Sequence, residues 1–451
     1  MEHPGEAFVY GVPRHEGTRW EFPFVSRVPS ADADTTDGTS DLVLTEVVEF
    51  DHDLDVPTTS VVVQLLHAAI GLSYYKARPA PVVLAFPADP RVAPFLCELI
   101  AHGLAEYAHT TGRRDALTPT ITVLDERPAD EGVVAPVRPG SVLVPLGGGK
   151  DSVVSVDLLQ RAGRTVETFA VGSHPTIRAC AEAAGVPLAL ASRTLDPALA
   201  QLTARTGLNG HIPVTAINSL VALLYARAHG TADVVMSNEG SADEPTLVTA
   251  DGQVVNHQWS KSSAFERLLR SALPPGLGYL SLLRPWREIT IARRFAEIGT
   301  FDTVAISCNN VYLRDASRRA PSWCLRCPKC AFVGLVLAPF MPPGRRARMF
   351  GGDLVGSEAM STHLRALVGL TDGKPLECVG EVLESRAALL LLARSGEALP
   401  GFVEAVVREV EAVGGTPTER QLERLFRADD AAVAALPEGY RALFDDVRTA
   451  S

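Results

Sequence analysis

Three consecutive glycines are followed by a lysine and an acidic residue in residues 146–152 (LGGGKDS). The apolar run 141–146 precedes them and an amphipathic stretch follows to about residue 162, a pattern that predicts a strand, a turn and a helix. Glycine lets backbone N–H groups approach phosphate oxygens, and a helix N-terminus adds donors and partial positive charge. The sequence therefore predicts a phosphate site formed by Gly147, Gly148, Gly149, Lys150, Asp151 and Ser152.

The side chains of this loop suit a nucleotide that is bound with magnesium. Lys150 supplies a cation, Ser152 supplies a hydroxyl donor, and Asp151 supplies a carboxylate that can hold Mg²⁺. Neither common glycine motif fits, because a Walker loop requires Gly-x4-Gly-Lys-Ser/Thr and the dinucleotide fingerprint requires Gly-x-Gly-x-x-Gly. A tight turn capped by Ser152 is the alternative without a ligand.

Polar side chains cluster in three later segments, 210–218, 237–246 and 255–263. The second segment follows an apolar run that predicts a strand, and ligands of open α/β sheets bind at the carboxyl ends of strands. A solvated acidic loop is the alternative for the second segment. The candidate site residues in these segments are His211, Asn238, Glu239, Asp243, His257 and Lys261.

Three of the seven cysteines form Cys324-x2-Cys327-x2-Cys330, sixteen positions after Cys308. This spacing is typical of a zinc knuckle, in which four thiolates complete a tetrahedral structural site. We therefore predict structural Zn²⁺ at these four residues. A cluster of reduced thiols in a buried turn and an iron–sulfur cluster are the alternatives.

The composition excludes several classes of protein. With 451 residues, 46% of them hydrophobic and 21% charged, the chain can bury a large core in two or three domains. A net charge of −11 disfavours a nucleic-acid partner. Apolar runs are too short to span a membrane, and a secretory signal is not visible, so we expect a cytoplasmic protein. Only five of its 42 Lys and Arg residues are lysines. Because this chain uses arginine at most basic positions, the remaining lysines are expected where an ammonium is needed: Lys76, Lys150, Lys261, Lys329 and Lys374.

The order of predicted elements indicates an α/β fold with a parallel sheet. Residues 1–40 are expected to be an irregular extension, and residues 41–135 an α/β module. Residues 138–350 are expected to carry the phosphate loop and the cysteines on five strands, the last at 303–307. Residues 356–451 are predicted to be helical, with two roles open: packing over the active site or forming a homo-oligomer.

The segment LGGGKDS resembles the pyrophosphate loop of N-type ATP pyrophosphatases, Ser-Gly-Gly-x-Asp-Ser, with Gly147 at the position of the first serine. The resemblance implies a PP-loop domain, similar to adenine nucleotide alpha hydrolases, with ATP and Mg²⁺ as cofactors. It also implies that residues 147–152 and Asn238 contact the nucleotide and that Asp151 holds the magnesium. Enzymes of this superfamily adenylate an oxygen of their substrate and release pyrophosphate. The 7-cyano-7-deazaguanine synthases share both the loop and the four cysteines, but lack the leading module and the helical tail.

Over residues 40–350 the chain resembles the bacterial UDP-N-acetylmuramoyl-L-alanyl-L-glutamate epimerases. That family inverts the terminal L-Glu of a UDP-sugar dipeptide, a precursor of peptidoglycan, through a carboxyl adenylate, releasing AMP and pyrophosphate. The resemblance is carried by residues 71–76, 147–152, 210–218, 238–246 and 323–330.

The resemblance implies roles for particular side chains. Adenylation removes the charge of the carboxylate, so that the adjacent Cα–H becomes acidic enough for a positioned side chain to take its proton. The implied catalytic residues are Lys150, Asp151, His211, Glu239, His257 and Lys261. The implied contacts with the UDP-sugar dipeptide are Tyr74, Lys76, Asp243, Arg287 and Arg314.

Two other classes of function stay open. One is another PP-loop enzyme that activates a carboxylate, similar to 7-cyano-7-deazaguanine synthase, or an amidating or thiolating enzyme. Amidation would need an ammonia source, and a glutaminase module is not recognisable in the sequence. The other is a nucleotide-binding regulator without turnover, against which the carboxylate-rich loop beside an intact Lys-Asp-Ser argues.

Overall fold

A computed structural model describes residues 6–29, 39–133, 135–249, 251–313, 315–371, 373, 375, 377 and 379–445. Its central element is one sheet of 11 strands. A two-stranded hairpin, β11 (Leu247–Val248) and β12 (Val254–Val255), is separate from it. The strands of the large sheet are β1 (Ala7–Tyr10), β2 (Arg14–Glu16), β3 (Arg19–Pro29), β4 (Thr39–Phe50), β5 (Val82–Ala88), β6 (Ile121–Glu126), β7 (Arg138–Pro145), β8 (Thr165–Val171), β9 (Leu188–Thr194), β10 (Thr231–Met236) and β13 (Gly278–Ser281).

Helices alternate with the strands as far as residue 298, and after it the described regular structure is helical. The helices up to that point are α1 (Val61–Tyr75), α2 (Val92–Gly103), α3 (Ala105–Thr111), α4 (Lys150–Arg161), α5 (Pro175–Ala184), α6 (Ala198–Thr206), α7 (Val214–His229), α8 (Ser263–Ala272) and α9 (Glu288–Ile298). The later helices are α10 (Pro328–Leu337), α11 (Pro343–Phe350), α12 (Glu358–Leu367), α13 (Val382–Arg394), α14 (Gly401–Ala412), α15 (Glu419–Phe426), α16 (Asp430–Ala435) and α17 (Glu438–Arg441).

The strand order explains where a ligand can bind. It runs β13-β10-β7-β8-β9-β4-β3-β1-β5-β6, with β2 paired to β3. The five strands from β13 to β9 are parallel. From β7 the chain continues to β8 on one side, whereas β10 and β13 lie on the other side. The order therefore reverses between β7 and β10, which is the place where open α/β sheets bind ligands.

Both faces of the parallel strands are covered, as their continuous apolar sequences require. In β7, Val142 and Val144 face a core that includes α4, α5, α9 and α10, whereas Leu143 faces the core of α1, α2, α7 and α8. This alternation is the period of two that a strand imposes on its side chains. The later helices extend the first core, through residues such as Val406 of α14 and Leu425 of α15. The helical region thus packs on the parallel sheet of its own chain.

These features confirm an α/β fold with a large, mostly parallel sheet and a helical C-terminal region. In the described part of the chain, none of the helices has both the length and the apolar character that crossing a bilayer requires. Whether the parallel strands form a PP-loop domain in the sense of the superfamily stays a prediction.

The expectation that residues 1–40 are irregular is wrong for residues 7–29, which form β1, β2 and β3. Turn-forming residues dominate the composition of this segment, but apolar and polar residues alternate within it. Trp20, Phe22 and Phe24 face the core, whereas Arg19 and Glu21 point outward and pair with each other. Alternation of this kind predicts a half-buried strand. Residues 30–38 lie outside the described part of the chain.

The predicted strand 303–307 is also not a strand, and the fifth parallel strand is β13, paired with β10. Residues 303–307 instead pass beside the glycine loop, where the backbone N–H of Ile306 donates to the carbonyl oxygen of Gly148 over 2.8 Å. An apolar run explains burial, but it does not distinguish a strand from a buried connection.

One antiparallel pairing joins the first six strands to the parallel sheet. β4 pairs with β9 in the register Val47↔Thr194 to Phe50↔Ala191. Beyond the pairing, the carboxylate of Asp196 accepts a hydrogen bond from the N–H of Thr45 over 2.8 Å. The sheet therefore continues across the predicted boundary at residues 135–138, and the division into domains stays a prediction.

We expect Gly71→Ala to destabilise the protein. Gly71 lies in the middle of α1, and a Cβ atom there would overlap the ring of Tyr10, which is fully buried. Overpacking of this kind costs about 1–3 kcal/mol of unfolding free energy, which should lower the midpoint of urea denaturation. Gly401→Ala is the matched control, because a Cβ at Gly401 meets no atom within 4 Å. Equal midpoints for the two variants would contradict the expected overlap.

Candidate active site

A cavity of about 400 Å³ lies at the carboxyl edge of the parallel strands, where their order reverses. The ends of β7, β8 and β10 form its floor, and the start of α4 and the first turn of α7 form parts of its wall. We call it the glycine-loop cavity. Six of the predicted site residues line it: Gly147, Gly149, Asp151, Ser152, Asn238 and Lys261.

Glycine is required in the loop because neighbouring side chains approach its backbone. Gly148 has a φ of 76°, and a Cβ atom there would lie 2.8 Å from the hydroxyl of Tyr312. A Cβ atom on Gly149 would lie 2.6 Å from the hydroxyl of Ser307. The segment 306–312 therefore holds the loop in a shape that only glycine permits, next to the first turn of α4.

Lys150 is the first residue of α4, and its side chain is buried in the protein. The ammonium contacts the carboxylates of Asp151 and Glu288 and is 2% exposed. Burial by itself would lower the pKa of Lys150, but the two carboxylates raise it above its usual value. Lys150 is not among the residues that line the cavity. Its charge therefore acts on the cavity through the carboxylate of Asp151, which does line it.

Two further carboxyl groups belong to the same buried cluster. Glu239 caps the 3₁₀ turn Gly240–Asp243 by accepting from the backbone N–H of Ser241. Burial and the nearby Glu288 raise the pKa of Glu239 to about 7. Glu384 comes from α13, accepts from the N–H of Glu381 over 2.9 Å, and has a pKa raised well above its usual value by burial. Lys150 thus contacts two carboxylates, and the two carboxyl groups next to Glu288 favour the protonated form.

The two candidate histidines lie together, in contact with a carboxylate from the N-terminal part of the chain. The Nδ1 atom of His257 lies 2.6 Å from the carboxylate of Glu106 on α3, and the rings of His257 and His211 are 4.5 Å apart. Burial, followed by the neighbouring His257, lowers the pKa of His211 to about 4. Burial alone would raise the pKa of Glu106, but its hydrogen bond with His257 lowers it. We call these three residues the histidine cluster.

The predicted substrate contacts are dispersed. Tyr74 is fully buried against Phe24, and its hydroxyl accepts from the N–H of Asp196, which does not support a contact with substrate. The ammonium of Lys76 donates to the side chain of Asn209 and to the carbonyl of Gly210, just before His211.

Two of the remaining three predicted contacts belong to the described residues. Asp243 accepts from the N–H of Ser263 over 2.6 Å and is half exposed. Arg287 pairs with Glu381 at the start of α13, away from the glycine-loop cavity. Arg314 lies outside the described residues.

The four cysteines come together as their spacing predicts. Their sulfur atoms lie within 4.8 Å of one another, with 3.9 Å between Cys308 and Cys327 and 3.8 Å between Cys324 and Cys330. Four thiolates around one tetrahedral ion with bonds of about 2.3 Å would be about 3.8 Å apart. The donor set and its spacing therefore fit a single metal ion.

Several residues at the site were missed by the sequence reasoning. Glu106 and Glu288 carry no signal of their own, because each is a single glutamate in an ordinary amphipathic helix. Lys329 lines the cavity beside Asp151, whose pKa its charge helps to lower against the effect of burial. The rarity of lysine in this chain favours a functional position for Lys329 but assigns it no role, and Lys261 lines the same cavity.

We expect Lys150→Met to destabilise the protein strongly. The substitution leaves Glu288 buried without its ammonium, and an uncompensated buried charge costs about 3–5 kcal/mol. The double variant Lys150→Met/Glu288→Gln should lose less unfolding free energy than the single variant, because it removes both charges. Urea denaturation of the three proteins measures this coupling. Strictly additive losses would show that the two charges do not stabilise each other.

Comparisons with known proteins identify the family of the chain. Residues 31–282 match the model of the MurL N-terminal domain, and residues 304–423 match the model of the MurL C-terminal domain. The first match spans the predicted boundary at residues 135–138 and includes the glycine loop.

Curated relatives give the same assignment. The chain is 46% identical to proteins of Salinispora tropica and of Micromonospora sp. over 353 residues, about three quarters of each chain. It is 38% identical to a protein of Xanthomonas oryzae over 372 residues, which are 80% of this chain and 81% of the relative. All three relatives are named UDP-N-acetyl-alpha-D-muramoyl-L-alanyl-L-glutamate epimerase. The chain therefore belongs to the MurL family of epimerases.

Proposed function

We propose that this protein inverts the terminal L-Glu of UDP-N-acetylmuramoyl-L-Ala-L-Glu, using ATP to activate the carboxyl group beside the stereocentre. The observation that carries the proposal is the glycine-loop cavity. It combines a glycine loop, a helix N-terminus and two lysines at the reversal of strand order. The names of the curated relatives supply the substrate.

The first step of the proposal is adenylation. Backbone N–H groups of the glycine loop would bind the phosphates, and Asp151 would hold Mg²⁺ with its carboxylate. The hydroxyl of Ser152, which donates to the carbonyl of Gly149 over 3.1 Å, would turn to the phosphates when the nucleotide binds. Lys261 and Lys329 line the cavity and balance the charge of the phosphates. The oxygen of the glutamate α-carboxylate attacks the α-phosphorus, and pyrophosphate leaves. Burial by itself would raise the pKa of Asp151, but the neighbouring positive charge of Lys150 lowers it and keeps this carboxylate ionised.

The second step is inversion. In the free substrate the Cα–H is very weakly acidic, because its carbanion would form next to a carboxylate. Adenylation removes that charge, so that a positioned base can take the proton. A proton then returns to the opposite face, and water cleaves the adenylate to D-Glu and AMP. The four candidates for proton transfer are His211, Glu239, His257 and Lys261. Of these four described residues, Lys261 lines the cavity, whereas His211, Glu239 and His257 are not among its lining residues.

The proposal predicts deuterium incorporation that depends on ATP. The protein is incubated in heavy water with ATP, Mg²⁺ and UDP-N-acetylmuramoyl-L-Ala-L-Glu. Deuterium at the glutamate Cα is measured by mass spectrometry, and AMP and ADP are separated by chromatography. We expect deuterated D-Glu product together with AMP, and neither when ATP is omitted.

The other outcomes identify the alternatives. AMP without deuterium would replace epimerisation by a different reaction of an activated carboxylate, such as amidation. Absence of both signals from folded protein that contains its metal would favour a nucleotide-binding regulator and would overturn the proposal.

We also propose that Cys308, Cys324, Cys327 and Cys330 hold one structural Zn²⁺. Cys327 caps α10 and Cys330 lies in its first turn, so the ion would fasten this buried helix to the segment after residue 307. Cys324→Ser should remove the bound zinc and lower the melting temperature by more than about 5 °C. Cys97→Ser is the control, since Cys97 is an exposed free thiol on α2. Full zinc content in Cys324→Ser, measured by elemental analysis, would contradict the assignment.

A further inference from the structure

We propose that the histidine cluster, Glu106, His211 and His257, is a binding site for one divalent transition-metal ion, with Zn²⁺ as its simplest occupant. Each of the three side chains offers one ligand atom, and the three atoms lie within 4.8 Å of one another. Two imidazoles and one carboxylate are a donor set that zinc and other divalent transition metals favour. The proposed function uses no ion at this place, so the inference goes beyond it.

The distances within the cluster suit a single ion. Histidine nitrogen and carboxylate oxygen bind zinc at about 2.0–2.2 Å, so ligand atoms around one tetrahedral ion are about 3.4 Å apart. Nδ1 of His257 lies 2.6 Å from the carboxylate of Glu106, and the rings of His257 and His211 are 4.5 Å apart. An ion that takes the place of the hydrogen bond between Glu106 and His257 would therefore separate these two groups by less than about 1 Å more. Only one nitrogen of each imidazole is needed.

His211 supplies a second observation. Among the described residues, neither ring nitrogen of His211 has a hydrogen-bond partner. A polar atom that is withdrawn from water costs free energy unless it is bonded, and an ion would bond one of these nitrogens. Burial, followed by the neighbouring His257, lowers the pKa of His211 to about 4. Its imidazole is therefore neutral at physiological pH, which is the form that binds metals.

Hydrogen bonds hold the three ligands in place before an ion binds. The hydroxyl of Tyr107, next to Glu106 on α3, donates to the carbonyl of Lys76 over 2.7 Å. The ammonium of Lys76 donates to the carbonyl of the residue just before His211. The N–H of His257 donates to a threonine hydroxyl over 2.9 Å. A site that is arranged in advance loses less conformational entropy on binding.

Charged groups of both signs act on the cluster. They are Lys76, Lys261, His109 and Glu377. The lysines oppose a cation at His211, but Coulomb attraction falls with distance, and the carboxylate of Glu106 would touch the ion directly. The mixed surroundings favour an ion that binds through imidazole nitrogen over Mg²⁺, which prefers oxygen ligands.

An ion at the cluster would connect three segments that are distant in the sequence. Glu106 belongs to α3, His211 to the connection before α7, and His257 to the connection before α8. Three protein ligands leave a position for water or for an oxygen of a bound molecule. Because an imidazole that binds a metal is a poor base, occupancy would leave Glu239 and Lys261 as the candidates for proton transfer.

Zinc content tests the site directly. The protein is incubated with excess Zn²⁺, unbound ion is removed by gel filtration, and zinc is measured by elemental analysis. We expect about two zinc ions per wild-type chain, one at the cysteines and one at the histidine cluster. Glu106→Gln and His257→Ala should each lose about one of them. His102→Ala is the matched control, because His102 pairs with Glu98 over 3.3 Å but belongs to no group of three ligands among the described residues.

The ligands of the second ion are identified in Cys324→Ser, which should keep only the ion at the histidine cluster. X-ray absorption at the zinc edge should show nitrogen and oxygen neighbours at about 2.0–2.2 Å rather than sulfur at about 2.3 Å. Zn²⁺ should also raise the melting temperature of Cys324→Ser by about 2 °C or more, since it binds only the folded chain. The double variant Cys324→Ser/Glu106→Gln should show no such rise, and Mg²⁺ should not replace Zn²⁺ in either protein.

Several results would overturn the inference. Cys324→Ser without zinc, or with sulfur neighbours around its zinc, would place all bound zinc at the cysteines. An equal loss of zinc in His102→Ala would show that the ion lies on surface imidazoles. Full zinc content in Glu106→Gln, which preserves the shape of the side chain and keeps the test decisive if His257→Ala does not fold, would exclude the carboxylate ligand. None of these measurements uses turnover, so failure of the proposed function and failure of this inference are detected separately.

Discussion

One buried ammonium holds the elements of the candidate site together. Lys150 starts α4, contacts Glu288 at the start of α9, and lies in the same cluster as Glu239 after β10 and Glu384 of α13. Four parts of the chain thus meet near Lys150. Burial, and next to it the neighbouring carboxyl groups, raise the pKa values of Glu239 and Glu384. The start of α4, the start of α9 and the first turn of α13 are thereby coupled electrostatically.

A second set of polar contacts connects the N-terminal strands to the parallel sheet. Arg193 on β9 pairs with Glu46 on β4 and donates to the hydroxyl of Ser73 on α1 over 2.7 Å. These groups lie beside the β4–β9 pairing, where an unpaired charge would be costly. The pairing matters for function because α3, which carries Glu106, belongs to the N-terminal part, whereas both histidines belong to the parallel-sheet part.

The sequence predicted the parts of the molecule that depend on local pattern. Residues 147–152 and the spacing of Cys324, Cys327 and Cys330 were recognisable, because phosphate loops and thiolate sites need fixed residue types at fixed intervals. The strands of residues 7–29 were missed because turn residues obscured their alternation. Glu106 and Glu288 could not have been found, since each acts through a partner more than 130 positions away. Tyr74 looked like a substrate contact because an aromatic pair on a helix has the same pattern in a core and in a site.

The unbroken sheet also limits how the protein can move when substrate enters. In many two-part enzymes the substrate lies between domains that rotate about a hinge. Here β4 and β9 share a continuous ladder of hydrogen bonds, so rotation between the two parts would break it. The continuous sheet therefore acts as one rigid scaffold. We expect accommodation of a large nucleotide sugar to come from the connections between the elements of this sheet, residues 207–213 and the described parts of 237–262, which carry His211 and His257. Binding and the alignment of the histidine cluster are therefore coupled through the same two segments.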